Sequence, residues 1–328
     1  MNRFISLLFA LLIACQAPKQ GNPSLQSGGY YAEIQGGKVW FGVMGEGDAT
    51  PLLCLHGGPG GTSKSFLSLA ELSRERPVIL MDQLGSGLSS YHEDSTLLTV
   101  ENFVEQVKAV KETLRLKEFY LMGHSWGTAL ALEYYSTYPD GVKGIVFNSP
   151  YFSTSTWIKD TDILVSTLPD SIQEAISFAE TNYEFESQSY KDAMDVFFKN
   201  FLVRKDEADW PTLSYQLIDP KYDSVEVKGN SYIYNYMWGP SEFSPTGTLL
   251  NYENTDALKG IKVSVLFTTG EYDEARPETV ELFTSMVPDA TFIEIPNAGH
   301  GSTRDNQPAY LKAHRDFTNL VDAEDSQE

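Results

Sequence analysis

Short apolar runs, set off by glycine, proline or charge, recur along this chain. Residues 52–55, 77–81, 118–122, 144–148, 261–267 and 291–295 are runs of this kind. A continuous apolar run of that length is the pattern of a strand buried on both faces. Between them, apolar positions return at helical spacing. Thr99 can cap a helix in which Phe103, Val107, Val110 and Leu114 share one face. Residues 66–72 and 128–135 read as helical, Pro277 opens a helix through Met286, and a last amphipathic helix carries Tyr310, Leu311, His314, Phe317 and Val321. Ahead of all this, 30–34 and 38–44 read as two strands joined at Gln35-Gly36-Gly37. Strands alternating with helices predict a mostly parallel, doubly wound α/β sheet covered on both faces.

The alternation stops after Pro150 and resumes near residue 249. From 151 to 248 the chain offers helical segments, best at 172–178, 190–203 and 231–238, and many aromatic residues, among them Trp157, Phe197, Trp210, Tyr234 and Trp238. This reads as a helical cap inserted into the core. The expected organisation is core at 30–150, cap at 151–248 and core again at 249–328, with most of the aromatics packing the cap and a minority lining a pocket.

The amino end follows another pattern. A charged Asn2-Arg3 precedes an apolar stretch from Phe4 to Ala14 that ends in Leu12-Ile13-Ala14-Cys15. That stretch is too short to span a bilayer and fits a signal segment at 1–14. Its end resembles a bacterial lipoprotein signal, which implies cleavage before Cys15 and lipid on its sulfur; an ordinary signal peptide cut near Ala17 is the alternative. Residues 15–29, rich in Gln, Gly, Pro and Ser, then form a tether. The expected location is the bacterial cell envelope, facing the periplasm or the cell surface, or outside the cell if no lipid is added. Cys54, in a buried run, is the only other cysteine, so an internal disulfide is not expected. The net charge of −21 argues against nucleic acid as a partner.

Candidate chemistry centres on Gly123-His124-Ser125-Trp126-Gly127. The pattern G-x-S-x-G lies between a predicted strand and a predicted helix, the setting of a nucleophile elbow. A serine hydroxyl needs a base, and the base needs an acid to orient it. In hydrolases with this elbow the acid and then the histidine follow the serine along the chain. An acid cluster, Gly270-Glu271-Tyr272-Asp273-Glu274, ends one strand, and His300 follows the next. Asp273 is favoured over Glu271 and Glu274. Of the remaining histidines, His56 and His124 sit in glycine turns and are expected to hold loops, His92 lies in a polar loop, and His314 is expected at a surface or interface of the last helix. His56-Gly57-Gly58-Pro59-Gly60-Gly61 follows a buried strand, where backbone N–H groups can face an oxyanion. Gly58 is the first expected donor, with Gly57 as alternative, and Trp126 the second.

Together with Asp82-Gln83-Leu84-Gly85-Ser86-Gly87-Leu88-Ser89 and Gly239-Pro240-Ser241-Glu242-Phe243, these motifs resemble the proline iminopeptidases and tricorn-interacting aminopeptidases of the α/β-hydrolase fold. The resemblance covers about residues 30–320. Many relatives carry Arg where this chain has Leu84 and Leu88. The resemblance implies a serine aminopeptidase that releases an N-terminal residue, proline or another small or apolar one, from short peptides with a free N-terminus, without metal or cofactor. It implies Ser125 as nucleophile, His300 as base, Asp273 as its partner, Gly58 and Trp126 as oxyanion donors and Glu242 as a carboxylate for the substrate amine. A second amine-binding acid is expected from the cap, with Glu207 one possibility. An esterase, lactonase or amidase on the same fold is the alternative enzymatic reading. A non-catalytic binding lipoprotein is disfavoured by the intact order of Ser125, Asp273 and His300.

Overall fold

The computed structural model describes residues 21–91, 94–210 and 213–325. The signal segment, Cys15 and His92 lie outside the described residues. Eight strands form one sheet in the order β1-β2-β4-β3-β5-β6-β7-β8. β1 (Gly28–Ile34) and β2 (Gly37–Met44) make the antiparallel hairpin, and β2 also runs antiparallel to β4 (Val78–Met81). The other neighbours are parallel: β3 (Leu52–Leu55), β4, β5 (Phe119–His124), β6 (Val142–Asn148), β7 (Ser264–Gly270) and β8 (Ala290–Ile295).

Strand period explains the two-sided core. Leu53, Leu55, Phe119, Leu121, Ile145, Phe147, Val265 and Phe267 face α1 (Val100–Leu114), α2 (Trp126–Thr137) and, further along the chain, α7 (Pro277–Met286). Their neighbours Leu52, Cys54, Tyr120, Met122, Val146 and Leu266 pack on the opposite face, against residues 66–72 and the last helix. Cys54 is buried in that layer, and burial pushes its thiol well above the usual range. It is a packing residue.

Among the described residues, four α-helices lie between β6 and β7, with short 3₁₀ turns beside them: α3 (Thr154–Ser166), α4 (Asp170–Asn182), α5 (Gln188–Phe201) and α6 (Ser231–Met237). They form the cap, with a small core of its own around Phe197, Phe201 and Phe243. Backbone hydrogen bonds fix it over the sheet. Asn230 N donates to Gly60 O at 2.7 Å, seating α6 on the glycine loop after β3. His300 N donates to Phe201 O at 2.9 Å, joining the loop after β8 to the end of α5. The chain closes with the short α8 (Ser302–Asp305) and α9 (Gln307–Asp325).

The differences from the sequence expectations are local. α3 was not expected, because Thr, Ser, Val and Ile are indifferent helix formers. It forms because Ser153 caps it, accepting from Thr156 N, and because Trp157, Asp160 and Thr161 are buried beneath it. The segment Ser63–Arg74 is a 3₁₀ rather than an α-helix, and β7 begins at Ser264 rather than 261. β8 is the sheet edge and only Ile295 is fully buried in it, so its apolar pattern overstated its burial. His314 is not at a surface: it is buried on α9 with its ring 4.4 Å from that of Tyr310, and burial lowers its pKa to about 3, which keeps it neutral.

One contact ties sheet to elbow helix. A Cβ at Gly127 would lie 2.0 Å from Leu55 O. Backbone cannot yield there as a side chain would, so Gly127→Ala should lower the unfolding free energy by about 1–3 kcal/mol. Urea unfolding followed by circular dichroism checks this; an unchanged midpoint would contradict the packing argument.

Candidate active site

Ser125 sits between β5 and α2 with φ 53° and ψ −127°, a conformation unusual for a residue with a side chain. The turn is this tight because both flanking glycines are in backbone contact: a Cβ at Gly123 would meet Gly127 O at 2.2 Å. Ser125 N is held by Asn148 O at 3.1 Å. Asn148 also bridges to the neutral ring of His124 at 2.6 Å, and Thr268 donates to it at 2.6 Å. The ends of β5, β6 and β7 are thereby locked together beneath the serine. His124 holds a loop, and burial lowers its pKa to about 3.

Asp273 is fully buried and committed to His300. Its Oδ1 lies 2.7 Å from His300 Nδ1 and accepts Ala275 N at 2.8 Å, while Oδ2 accepts Ser149 Oγ at 2.6 Å and Gly270 N at 3.1 Å. Burial alone would raise this carboxyl. The nearby imidazole and these hydrogen bonds outweigh it and hold Asp273 below its ordinary range. With Nδ1 donating to Asp273, Nε2 is the nitrogen left to exchange a proton with substrate or serine. Ser125 and His300 line one cavity of about 310 Å³. Glu271 is elsewhere: exposed, it accepts Asn297 N at 2.8 Å and braces the loop that leads to His300.

The oxyanion side is built from backbone. Gly57 packs so closely that a Cβ there would lie 2.9 Å from Ser125 Cβ, and Gly58 takes φ 116°. His56 holds this loop. Its Nδ1–H donates to Gly57 O at 2.8 Å and its Nε2 accepts Gln83 N at 3.0 Å. Gln83 in turn donates to His56 O and accepts Trp126 Nε1 at 3.0 Å, so three motifs meet at one amide. Asp82 closes the turn by accepting Ser63 N at 2.7 Å and Leu88 N at 2.9 Å. Neither Gly58 N nor Trp126 N has an internal acceptor among the described residues, and Trp126 is the first residue of α2, where helix N–H groups are unpaired.

Two carboxyl groups face the same cavity, Glu274 buried and Glu242 half-buried. Glu242 is reached by Tyr234 OH at 2.6 Å and Trp157 Nε1 at 3.2 Å. Its turn is shaped by Ser241, whose Oγ accepts Phe243 N and Ser244 N and donates to Glu180. Glu274 Oε1 is 3.6 Å from His300 Nε2, and its Oε2 is buried without a hydrogen-bond partner. Burial and the neighbouring carboxylates push Glu274 well above the ordinary carboxylate range, and burial raises Glu242 too. A narrow branch of about 30 Å³ runs beside Ser125 between Tyr151, Trp157, Trp238 and Leu249.

The sequence reading missed Glu274 as a cavity carboxylate, and Ser149, Trp157 and Tyr234. Glu274 carried a signal, since an acid next to the triad aspartate on a strand-end loop shares its cavity. The other three are brought in by folding alone. Glu207 is not beside Glu242; it stands exposed on a short turn outside the cavity wall.

Burial would lower the His300 pKa, but Asp273, Glu274 and Glu242 together raise it to about 9. In the free protein Nε2 therefore holds its proton until the pH approaches that value, and the base form is gained as pH rises. Hydrolytic kcat/KM should climb on its acid side through an ionisation near 9. Glu274→Gln removes a carboxyl whose ionised form stabilises the imidazolium, so it favours the neutral ring and should move that limb to lower pH by about one unit. A pH–rate profile of both proteins checks the sign; a limb that stays put or rises would refute it.

Residues 50–305 match the family of the alpha/beta hydrolase fold. A proline iminopeptidase of Heyndrickxia coagulans is 38% identical over 294 residues, spanning 89% of this chain and 98% of that one. The crystal structure of a proline iminopeptidase of Mycobacterium smegmatis superposes with TM-score 0.78 at 26% identity, covering 90% of this chain and 99% of that one. The structure of VinJ does so equally well, with TM-score 0.78 and 26% identity over 91% of this chain and all of its own. With this identity sustained along both chains, over the geometry of a serine hydrolase, the protein belongs to the proline iminopeptidase family.

Proposed function

We propose that this protein is a serine aminopeptidase that removes a proline or another small apolar residue from the free N-terminus of short peptides. The observation that carries the reading is the pair Glu242 and Glu274: two acids lining the serine cavity, one half-buried and the other buried with an unpartnered oxygen. An orphaned buried acceptor costs on the order of 1–3 kcal/mol. A substrate ammonium supplies both the missing donor and the missing positive charge. The narrow branch beside Ser125, walled by aromatic rings, suits a compact apolar first side chain.

In this reading Ser125 Oγ attacks the carbonyl carbon of the first residue while His300 Nε2 takes the hydroxyl proton. The N–H groups of Gly58 and Trp126 hold the oxyanion. Collapse breaks the C–N bond, the proton passes from Nε2 to the departing amine, and water then releases the acyl group by the same route. Amine binding also prepares the base. An ammonium between Glu242 and Glu274 cancels the negative field that keeps Nε2 protonated, so a free N-terminus favours the neutral imidazole. Blocked substrates lose both effects.

The test is a panel of chromogenic prolyl, alanyl and leucyl amides, free and N-acetylated. Turnover is expected only with the free amine and is abolished in Ser125→Ala. Glu242→Ala should raise KM by about ten- to a hundredfold, the worth of a charge-assisted hydrogen bond. Equal rates on free and blocked amides would sink the assignment.

From the sequence alone, we further propose that Cys15 carries lipid and holds the enzyme in a bacterial envelope, with 15–29 as its tether. Cells fed an alkyne fatty acid should label the wild-type protein and not Cys15→Ser, which should leave the membrane fraction. An unlabelled wild type would end this proposal.

A further inference from the structure

The cavity holds one charged residue that this chemistry leaves unused. Arg304, four positions after His300 on α8, lines the same cavity as Ser125, Glu242 and Glu274. Its guanidinium lies 4.3 Å from the centre of the Trp210 ring. The guanidinium makes no hydrogen bond or salt bridge among the described residues. The adjacent Asp305 attracts it without pairing with it: that carboxylate accepts Gly299 N at 2.9 Å, Lys205 N at 2.8 Å and Arg204 N at 3.0 Å. Glu207 attracts it only at longer range, from an exposed turn.

A half-buried arginine with no anion hydrogen-bonded to it is unusual in a chain whose net charge is −21. The ring face fixes the plane of the guanidinium and leaves its five N–H donors free in a fork that matches a carboxylate. The cavity is thus charged in two opposite senses, with acids at Glu242 and Glu274 and a cation at Arg304. Leu202 and Val203 add apolar wall to the same cavity. A short peptide zwitterion carries the complementary charges. If the ammonium sits on the glutamates and the first carbonyl on Ser125, the remaining chain extends across the leaving-group side. The volume of about 310 Å³ is at the low end for a ligand pocket and matches two or three residues rather than a long chain.

We propose that Arg304 binds the C-terminal carboxylate of the substrate, which makes the enzyme selective for di- and tripeptides with both ends free. This inference rests on the aminopeptidase reading. It opposes what overall charge dictates, since a strongly acidic protein otherwise disfavours an additional substrate carboxylate.

The experiment compares prolyl-glycine, prolyl-glycinamide and prolyl p-nitroanilide. The wild type should show a KM for the free acid about tenfold below that for the amide, the order of a charge-assisted hydrogen bond. Arg304→Gln should bring that ratio to about one, and Arg304→Lys, which keeps the charge and loses the fork, should retain part of it. Equal KM values in the wild type overturn the proposal without recourse to any variant, as does an Arg304→Gln protein that keeps the ratio. The anilide carries no carboxylate: its turnover alongside equal KM values would leave the aminopeptidase reading standing and remove only the role of Arg304. Failure to cleave any of the three would remove both.

Discussion

Ser125 keeps a positive φ because the chain on either side has no other path. Gly123 lies against Gly127 O, and Gly127 against Leu55 O, so β3, β5 and α2 meet through bare backbone. A side chain at either glycine would separate the strand from the helix and lower the serine into the turn. The remainder of the site is referenced to this contact. Asn148 and Thr268 tie the neighbouring strand ends to it, and Gln83 ties in the oxyanion loop through the Trp126 indole. Strain of order 1–3 kcal/mol at a nucleophile is tolerable only where surrounding packing over-determines the conformation, which is the condition met here.

Electrostatics then divide the cavity. Asp273 is buried but satisfied, with four donors around its two oxygens. Glu274, its neighbour in sequence, is buried and unsatisfied, and it faces the opposite nitrogen of the same imidazole. Two adjacent carboxyl groups thus meet opposite nitrogens of one imidazole: both raise the pKa of the ring, yet Asp273 is itself held low and Glu274 is itself pushed up. The difference arises from hydrogen-bond supply, since burial is equally complete for both.

The cap is a working part of this arrangement. It seats α6 on the Gly60 loop and grips the His300 loop through Phe201 and Leu202. It also delivers Glu242, held by Tyr234 and Trp157. Movement of the cap would therefore displace Glu242 and His300 together.

Much of this was legible in residue order. Continuous apolar runs specified the parallel sheet, because strands covered on both faces need no polar alternation. The G-x-S-x-G turn, the His56–Gly61 loop and the order of Ser125, Asp273 and His300 marked a serine hydrolase, because their glycines and strand-end positions are local requirements written locally. Glu242 was legible through its own short motif. Tertiary structure decided which of the remaining acids joins Glu242 in the cavity. Glu207 and Glu274 are both acids in polar surroundings along the chain, yet one is exposed on a turn and the other is enclosed beside His300. It alone revealed α3, whose propensities are weak and whose stability comes from burying Trp157, and it alone left the Arg304 guanidinium without a hydrogen-bonded anion. Local sequence sets which conformations a segment can adopt, whereas desolvation and charge pairing depend on what distant segments bring within a few ångströms, and that is fixed only when the chain has packed.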